Sequence, residues 1–371
     1  MAADSGPAQP QSRVSDSVSY RSSMITVAVD ANGADLGPAE VAAGAAAAAE
    51  QGVRVILYGP EDEIGPPRDG VELVDAPLSI AKAADPARAV RANPEASIVL
   101  AAQAVAEGRA DAFVSGGSTG PALAAGLFNI RRAPGIHRPA LAIPVPVPGH
   151  PVTILDVGAS TEARPEHLVQ FGFMGAALAQ TVLGVDRPRV GLLSNGEEET
   201  KGSRLVVETH AALRDRLAEG GSFDFVGNVE GNELTTGKAD VVVTDGFTGN
   251  VALKLMEGVS ETMLRAIRDV ATSSRRAKAG GLLLRPALLE FREIIDPESA
   301  GGAYLLGLRR LGVVPHGRFS RRGIAQAILL AARGVGGDIV ERTHAVLEDA
   351  GALKAPPVAA TSEPTPSVSP S

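Results

Sequence analysis

The residues best suited to chemistry lie in one short stretch, from Asp240 to Gly258. Three consecutive valines predict a buried strand, and the Asp-Gly-Phe-Thr-Gly-Asn that follows predicts a glycine-rich turn leading into a helix. In an open α/β sheet such a turn lies at the carboxyl end of its strand, where ligands bind, and a helix N-terminus suits phosphate. An ordinary connection would explain the glycines but not the density of polar side chains. The candidate site residues here are Asp245, Gly246, Thr248, Gly249, Asn250 and Lys254.

A second turn of this kind follows the strand candidate at 112–114, and a proline then opens a helix, which suits its first turn. As a hydroxyl-bearing glycine turn it could hold phosphate. As a literal Gly-x-Ser-x-Gly it could instead be the nucleophile elbow of a serine hydrolase. The order Ser118, Asp245, His316 matches a hydrolase triad, so this alternative stays open beside phosphate binding. The candidate residues of the turn are Ser115, Gly116, Gly117, Ser118, Thr119 and Gly120.

Two acids and one lysine occupy other strand ends. Asp30 and Asp35 follow the first predicted strand, where the Gly-x-Gly-x-x-Gly of a dinucleotide site is absent. They could orient a phosphate-binding group or hold a metal. Lys201 lies in an acidic turn where lysine precedes glycine, contrary to the order in a P-loop, so nucleotide binding is rejected. Because the chain has few lysines among many arginines, Lys201 and Lys254 are favoured as residues chosen for their chemistry.

Composition narrows the class of protein. Of 371 residues, 44% are apolar, which suffices for a large core. With no cysteine, disulfides, thiolate metal sites and a cysteine nucleophile are excluded, and no motif requires a metal or another cofactor. A net charge of −8 and the lack of tryptophan argue against nucleic-acid binding. Residues 1–23 lack the apolar core of a signal peptide, and no apolar run approaches the ~20 residues of a membrane span, so we expect a cytoplasmic protein.

Strand-like and helix-like segments alternate along the chain, which predicts a layered α/β fold with a mainly parallel sheet over residues 24–350. The flanking segments 1–23 and 351–371 are rich in Ser, Pro and Ala and are predicted to be disordered. The predicted strands are 25–29, 53–58, 71–74, 112–114, 140–145, 152–155, 190–193, 223–226 and 241–244. The predicted helices are 39–50, 97–107, 119–129, 166–183, 203–218, 251–270 and 324–347.

Residues 274–292 interleave basic residues with leucines. One interpretation is a helix that packs on the core or on a second subunit and turns a basic face outwards. The other is an interfacial element that binds an anionic membrane surface. The sequence leaves both open.

Several of these motifs together resemble the bacterial phosphate acyltransferase family PlsX. The resemblance rests on the Asp-Gly-Phe-x-Gly-Asn-x-x-Leu-Lys pattern at 245–254, and it recurs at 30–35, 115–120, 155–175, 191–202, 227–231 and 316–317. The chain departs from the family pattern at Asn32, Ala34 and Ser118, where the family has Met, Gly and Asn. The asparagine in place of Ser118 makes a nucleophilic serine foreign to that family.

The resemblance implies an isopropylmalate-dehydrogenase-like, Rossmann-like topology and a homodimer. It also implies transfer of a fatty acyl group from acyl-acyl-carrier-protein to inorganic phosphate, for phospholipid synthesis, with the product passed to a membrane acyltransferase. We expect the N–H groups of 116–120 and 246–250 to cradle phosphate with Thr119 and Asn250. Lys254 or Lys201 would offset the negative charge of the phosphate, and His316 would act as an acid toward the leaving thiolate. Candidate docking patches for the acidic carrier are Arg131, Arg132 and Arg138, or Arg318, Arg321 and Arg322.

Overall fold

Short apolar runs form the strands of a single sheet with helices on both faces, in the computed structural model that describes residues 24–66, 68–218 and 220–355. The strands are β1 Thr26–Asp30, β2 Arg54–Gly59, β3 Val71–Asp75, β4 Ala112–Ser115, β5 Ala140–Val145, β6 Val152–Leu155, β7 Arg189–Ser194, β8 Asp224–Glu230, β9 Val241–Val243, β10 Ala303–Leu306 and β11 Leu311–Val314. The α-helices are α1 Pro38–Ala49, α2 Glu61–Ile64, α3 Pro86–Ala92, α4 Ser97–Ala106, α5 Thr119–Ala125, α6 Pro165–Val182, α7 Arg204–Leu217, α8 Gly246–Thr272, α9 Arg275–Ile294, α10 Pro297–Ala300, α11 Arg321–Gly336 and α12 Ile339–Asp349. A π-helical turn, Gly126–Ile130, continues α5, and a 3₁₀ turn spans Gly231–Glu233.

The sheet consists of two parallel blocks that run in opposite directions. The strand order is β3-β2-β1-β4-β11-β10-β5-β6-β9-β7-β8. Pairing is parallel from β3 to β11 and again from β6 to β8, but β10 and β5 pair antiparallel with each other and with their outer neighbours. Three successive reversals invert the chain direction. The predicted layered α/β fold with a mainly parallel sheet is therefore confirmed. The change of strand direction in the middle of the sheet was not predicted.

The strand registers bring the carboxyl ends of the two blocks to the same level of the sheet. Across five neighbouring strands the aligned residues are Leu155, Ala142, Tyr304, Val313 and Val114. Leu155 is the last residue of β6, and Val114 lies one residue before the end of β4. Strands β4 and β6 run in opposite directions and both end near this level. The turns that follow them therefore leave the middle of the sheet in opposite directions.

Helices cover both faces of the sheet. One face packs on α1, α6, α11 and α12, where buried apolar residues form a large core cluster. The other face packs on α4 and α5, with Leu253 and Met256 of α8 at its margin. Among the described residues, no single helix has both the length and the apolar character needed to cross a membrane. One pair bent by 49°, α11 and α12, meets that requirement by length and composition alone.

Helices α8 and α9 form an arm whose apolar side chains stay exposed. Seven large apolar residues of α8 recur at nearly every fourth position with 42–70% of their surface exposed, and α9 has no buried residue. This apolar stripe of α8 comprises Phe247, Val251, Leu255, Val259, Met263, Ile267 and Val270. The interpretation of 274–292 as a helix packed on the core of its own chain is therefore wrong.

The structure corrects several predicted boundaries. Strands β10 and β11 were not predicted, because they are only four residues long and arginines separate them. Helix α8 begins at Gly246 rather than at 251, and the predicted helix 324–347 is two helices. Residues 351–355 of the predicted C-terminal tail are described, with Ala352 buried. The rest of both predicted tails lies outside the described residues.

Candidate active site

A buried carboxylate ties the turn after β1 to the turn after β4. Asp30 is 3% exposed, and its two oxygens accept hydrogen bonds from the hydroxyls of Ser97 at 2.6 Å and Ser115 at 2.7 Å. Burial raises the pKa of Asp30, and the bonds from Ser97, Ser115 and the Asn32 N–H oppose this effect. Asp30 therefore acts as an internal clamp rather than an exposed ligand. Ser97 lies at the start of α4, and no local motif in the sequence marked it.

The backbones of these two turns are in direct contact. A Cβ on Gly33 would lie 2.7 Å from the Gly117 nitrogen, so only glycine fits at this crossing. Beside it, Asp30, Ser97, Ser115 and Ser118 are among the residues that line a narrow polar recess. Close packing holds the turn after β4 in place.

Four backbone donors cluster at the N-terminus of α5. Among the described residues, no hydrogen bond uses the N–H groups of Gly117, Ser118, Thr119 or Gly120. The next residue is a proline without an N–H. Unpaired N–H groups at a helix N-terminus attract anions such as phosphate. The phosphate cradle at residues 116–120 stays a prediction, and these four donors are compatible with it.

The turn after β9 is closed, contrary to prediction. The Asp245 carboxylate caps α8 by accepting from the N–H groups of Phe247 at 3.0 Å and Thr248 at 2.9 Å, and from the Thr248 hydroxyl at 2.6 Å. The Gly246 N–H donates to the Ser160 carbonyl and the Gly249 N–H to the Asp245 carbonyl. The expected backbone cradle at 246–250 is therefore wrong, because its donors are satisfied within the chain. The side chains of Asn250 and Lys254 remain candidates for contact with a ligand.

A second buried carboxylate, that of Asp156, organises the turn after β6. It accepts four N–H groups at 2.7–3.0 Å, from Leu141, Gly158, Ala159 and Ser160. Burial raises the pKa of Asp156, and these four bonds oppose it. Because Ser160 in turn accepts the Gly246 N–H at 2.8 Å, Asp156 sets the position of the α8 N-terminus. The sequence showed Asp156 only as a residue that ends a strand.

One polar face of α8 connects the two halves of the site. Asn250, Lys254 and Glu257 share that face, since they are spaced four and three residues apart. At one end, the Asn250 amide nitrogen would lie 3.3 Å from a Cβ built on Gly158. At the other end, Lys254 and Glu257 are both close enough to His316 to affect its pKa: the Glu257 carboxylate raises it and the Lys254 ammonium lowers it. The three side chains span about 10 Å of helix.

His316 meets the polar face of α8 from the turn after β11. Its Nδ1 accepts the Arg318 N–H at 3.2 Å, so a neutral ring carries its proton on Nε2. Partial desolvation lowers the pKa of His316, and the Arg318 cation lowers it further. At neutral pH the imidazole is therefore uncharged and offers an Nε2–H donor. Asp35 lies beside it, with its N–H donating to the Gly317 carbonyl at 2.7 Å.

The serine hydrolase triad is not assembled. In a triad the histidine Nδ1–H donates to the acid, but Nδ1 of His316 is an acceptor here. Asp245 is occupied as the cap of α8. Among the described residues, no hydrogen bond joins Ser118 to His316. The alternative therefore lacks its geometry.

Lys201 lies in the turn after β7, the parallel neighbour of β9. The Asn228 amide donates to the carbonyls of Glu198 and Lys201. Glu197, in the same turn, forms an ion pair with Lys238 at 2.7 Å. The structure thus ties the turn that carries Lys201 to β8, and no described contact links it to His316. Among the described residues, no group of three or more His, Asp or Glu is placed to hold a metal ion.

Comparisons with known proteins find relatives among the phosphate acyltransferases. A family model described as "Fatty acid synthesis protein" matches residues 25–342. The phosphate acyltransferase of Nitratidesulfovibrio vulgaris is 44% identical over 314 residues, covering 82% of this chain and 90% of the relative. The phosphate acyltransferase of Levilactobacillus brevis is 45% identical over 301 residues, covering 78% and 86%.

Solved structures share the fold at low identity. The EutD phosphotransacetylase from Staphylococcus aureus is 18% identical, with a TM-score of 0.56, and the match covers 84% of this chain and 94% of that chain. A branched-chain phosphotransacylase from Enterococcus faecalis V583 is also 18% identical, with a TM-score of 0.53 and coverage of 84% and 99%. These likenesses support the layered α/β architecture.

Proposed function

This chain belongs to the phosphate acyltransferase family, and from that premise we propose that it transfers a fatty acyl group from acyl-acyl-carrier-protein to inorganic phosphate. It is an acyltransferase with phosphate as acceptor. The carrier-bound donor and the use of acyl-phosphate in phospholipid synthesis rest on the motif resemblance. The observation that carries the site assignment is the row of unpaired N–H groups at Gly117–Gly120, close to a turn that Asp30 clamps.

Phosphate needs placement more than activation. We assign it to the N-terminus of α5, held by the N–H groups of 117–120 and the Thr119 hydroxyl. The Lys254 ammonium, on the polar face of α8, would balance its charge. Holding the nucleophile beside the thioester replaces a bimolecular encounter by a step within the complex.

Acyl transfer then proceeds through a tetrahedral oxyanion. A phosphate oxygen attacks the thioester carbonyl carbon and a C–O bond forms. The carbonyl oxygen becomes an oxyanion, which the Asn250 amide and the His316 Nε2–H can stabilise. When the oxyanion collapses, the C–S bond breaks and the thiolate leaves, taking a proton from water or from a nearby donor. The lowered pKa of His316 favours a hydrogen-bond donor over the imidazolium acid expected from the sequence.

The test is a product-trapping assay. Pure protein, acyl-carrier thioester and phosphate are incubated, and hydroxylamine converts acyl-phosphate into a hydroxamate. Strict dependence on phosphate is the expected result. Release of free fatty acid without phosphate would indicate a hydrolase, and phosphate binding without turnover would indicate a non-catalytic binder.

Ser118→Ala should keep substantial activity, because Ser118 contributes an N–H that alanine retains. A fluorophosphonate probe should leave the wild-type protein unlabelled. The measurement is hydroxamate formation by the variant together with intact mass after probe treatment. Stoichiometric labelling at Ser118, with loss of all activity in the variant, would overturn acyl transfer to phosphate as written.

We also assign the exposed arm to assembly. The apolar stripe of α8 suits a second copy of the chain, giving a homodimer, since helices bury such stripes against one another. On α9, Leu282, Leu283 and Leu284 are 60–83% exposed and stand among basic residues. They suit peripheral contact of a cytoplasmic protein with an anionic membrane, where a membrane acyltransferase could receive the product.

Replacing Leu283 and Leu284 by Glu should abolish sedimentation with anionic vesicles, because apolar insertion is lost and the new charges repel the headgroups. Each nearby basic residue contributes about 1 kcal/mol, so wild-type binding should weaken in salt as the Debye length falls from ~10 Å at 0.1 M to ~3 Å at 1 M. Activity on dissolved substrate should survive. If the variant unfolds or loses its dimer, these leucines belong to an interface between copies.

A further inference from the structure

Six arginines that are far apart in sequence gather on one face near the start of β11. The Arg309 N–H donates to the Arg131 carbonyl at 3.0 Å, and Arg132 pairs with Leu308 across an isolated bridge. Gly307 packs against the Arg138 backbone. Burial lowers the pKa values of His137 and His167, and nearby cations that include Arg164 lower them further. The two rings lie 5.7 Å apart. This arginine face comprises Arg131, Arg132, Arg138, Arg164, Arg309 and Arg310, all exposed.

The arginine face is largely unneutralised. Within the described part of the chain its one ion pair joins Arg164 to Glu166, at 3.9 Å. The other arginine patch differs, since Arg321 pairs with Glu40 at 2.8 Å and Arg322 pairs with Glu293. On a chain of net charge −8, such a concentration of free positive charge points to an acidic partner outside the chain.

The arginine face adjoins the candidate active site. Arg138 precedes Pro139, whose carbonyl accepts the Ser160 hydroxyl at 3.5 Å. The carbonyl of Ser160 accepts the first N–H of α8. Two contacts therefore connect the arginine face to the first turn of α8, the helix that carries Asn250 and Lys254.

The backbone at Arg131 adds an independent observation. It follows a π-helical turn and adopts φ 70° and ψ 161°, a region that only glycine enters without strain. An arginine held there points to selection for its charge, because glycine would relax the chain.

We propose that the arginine face docks an acidic protein that carries the acyl donor as a thioester. This inference rests on the proposed function and names where its donor binds. A protein is favoured over lipid because the arginine face lies at the base of the arm, whereas the exposed leucines of α9 begin about 40 Å away, beyond the length of α8.

The test compares two donors. Arg131→Glu combined with Arg309→Glu should raise KM for the acyl-carrier thioester by about tenfold or more, since opposed charges at a docking rim slow association. The kcat and the KM for phosphate should not change. The rate with an acyl N-acetylcysteamine thioester, which has no carrier protein, should equal that of wild type. Higher salt should raise the wild-type KM for the carrier thioester.

Two further variants complete the experiment. Arg54→Glu combined with Arg187→Glu changes net charge equally on other parts of the surface and should leave KM unchanged, because the ion pairs of these arginines are exposed. Arg131→Gly should raise the donor KM without lowering Tm, since it relieves the backbone. This variant tests the inference even if charge reversal prevents folding.

The outcomes separate the two claims. If wild type forms no acyl-phosphate from the carrier thioester, the proposed function falls and docking falls with it. If wild type is active and the arginine variants keep its KM, docking at this face alone is overturned. An equal loss of rate with the carrier thioester and the N-acetylcysteamine thioester would also overturn docking at this face. Loss of binding to anionic vesicles with an unchanged donor KM assigns the face to lipid instead.

Discussion

Replacing Lys254 by methionine should lower turnover by about 100- to 1,000-fold, the usual loss when one preorganised electrostatic group is removed from a reacting centre. Lys254 is exposed on the polar face of α8, and the described residues include no ion-pair partner for it. Methionine keeps the length and the helix propensity of lysine. The loss should therefore appear in kcat, or in the KM for phosphate, while the Tm stays within error of wild type.

The control for Lys254→Met is Lys278→Met, the same chemical change on α9, which should leave turnover with dissolved substrates unchanged. Lys254→Arg should recover part of the rate because it keeps the charge. Asn250→Ala should also lower turnover, through the loss of an oxyanion donor. Normal rates for both Lys254→Met and Asn250→Ala would show that the reaction takes place elsewhere.

Replacing Gly249 by alanine should destabilise the protein by about 3 kcal/mol or more, at or above the usual penalty of 1–3 kcal/mol for overpacking. A Cβ at this position would overlap the carbonyl oxygen of Asp156 and approach Cγ2 of Thr244 to 2.8 Å. Backbone atoms cannot move aside as a flexible side chain can. The first turn of α8 would have to leave the turn after β6, so activity should fall with stability.

Gly258→Ala provides the matched control within the same helix. A Cβ on Gly258 meets nothing within 4 Å, so alanine should stabilise by about 0.4–1 kcal/mol, chiefly through the smaller entropy of the unfolded chain. Urea unfolding of the two variants measures both effects. A Gly249→Ala protein as stable as wild type would mean that α8 does not pack against Asp156 as described.

Local patterns in the sequence predicted most elements of the fold. Three consecutive valines predict a strand that is buried on both faces. They form β9, which lies between β6 and β7. Apolar spacing predicted α8, although its start was placed five residues late. The reason is that Asp245, as the cap of α8, draws Gly246–Asn250 into the helix. Both phosphate-like turns were visible as glycine and hydroxyl patterns directly after a buried strand.

Which of those turns remains open to a ligand depended on hydrogen-bond partners that only the fold supplies. The donors of Gly246 and Phe247 meet Ser160 and Asp245, whereas those of Gly117 and Ser118 meet none among the described residues. Local sequence is similar in the two places. The difference arises because Asp156, itself held by four N–H groups, brings Ser160 to the start of α8.

By itself the sequence determined the layered α/β class and the short list of polar residues, because both follow from spacing within a few turns of chain. Its motifs, taken together, carried the resemblance to the family. Tertiary structure alone decided that three antiparallel steps bring two opposed sets of strand ends to one level, with α8 across them. It alone placed Arg131 beside Arg309 and joined the turn of Lys201 to β8. Contacts between residues more than a hundred positions apart depend on the packing of the whole sheet, and no local period records them.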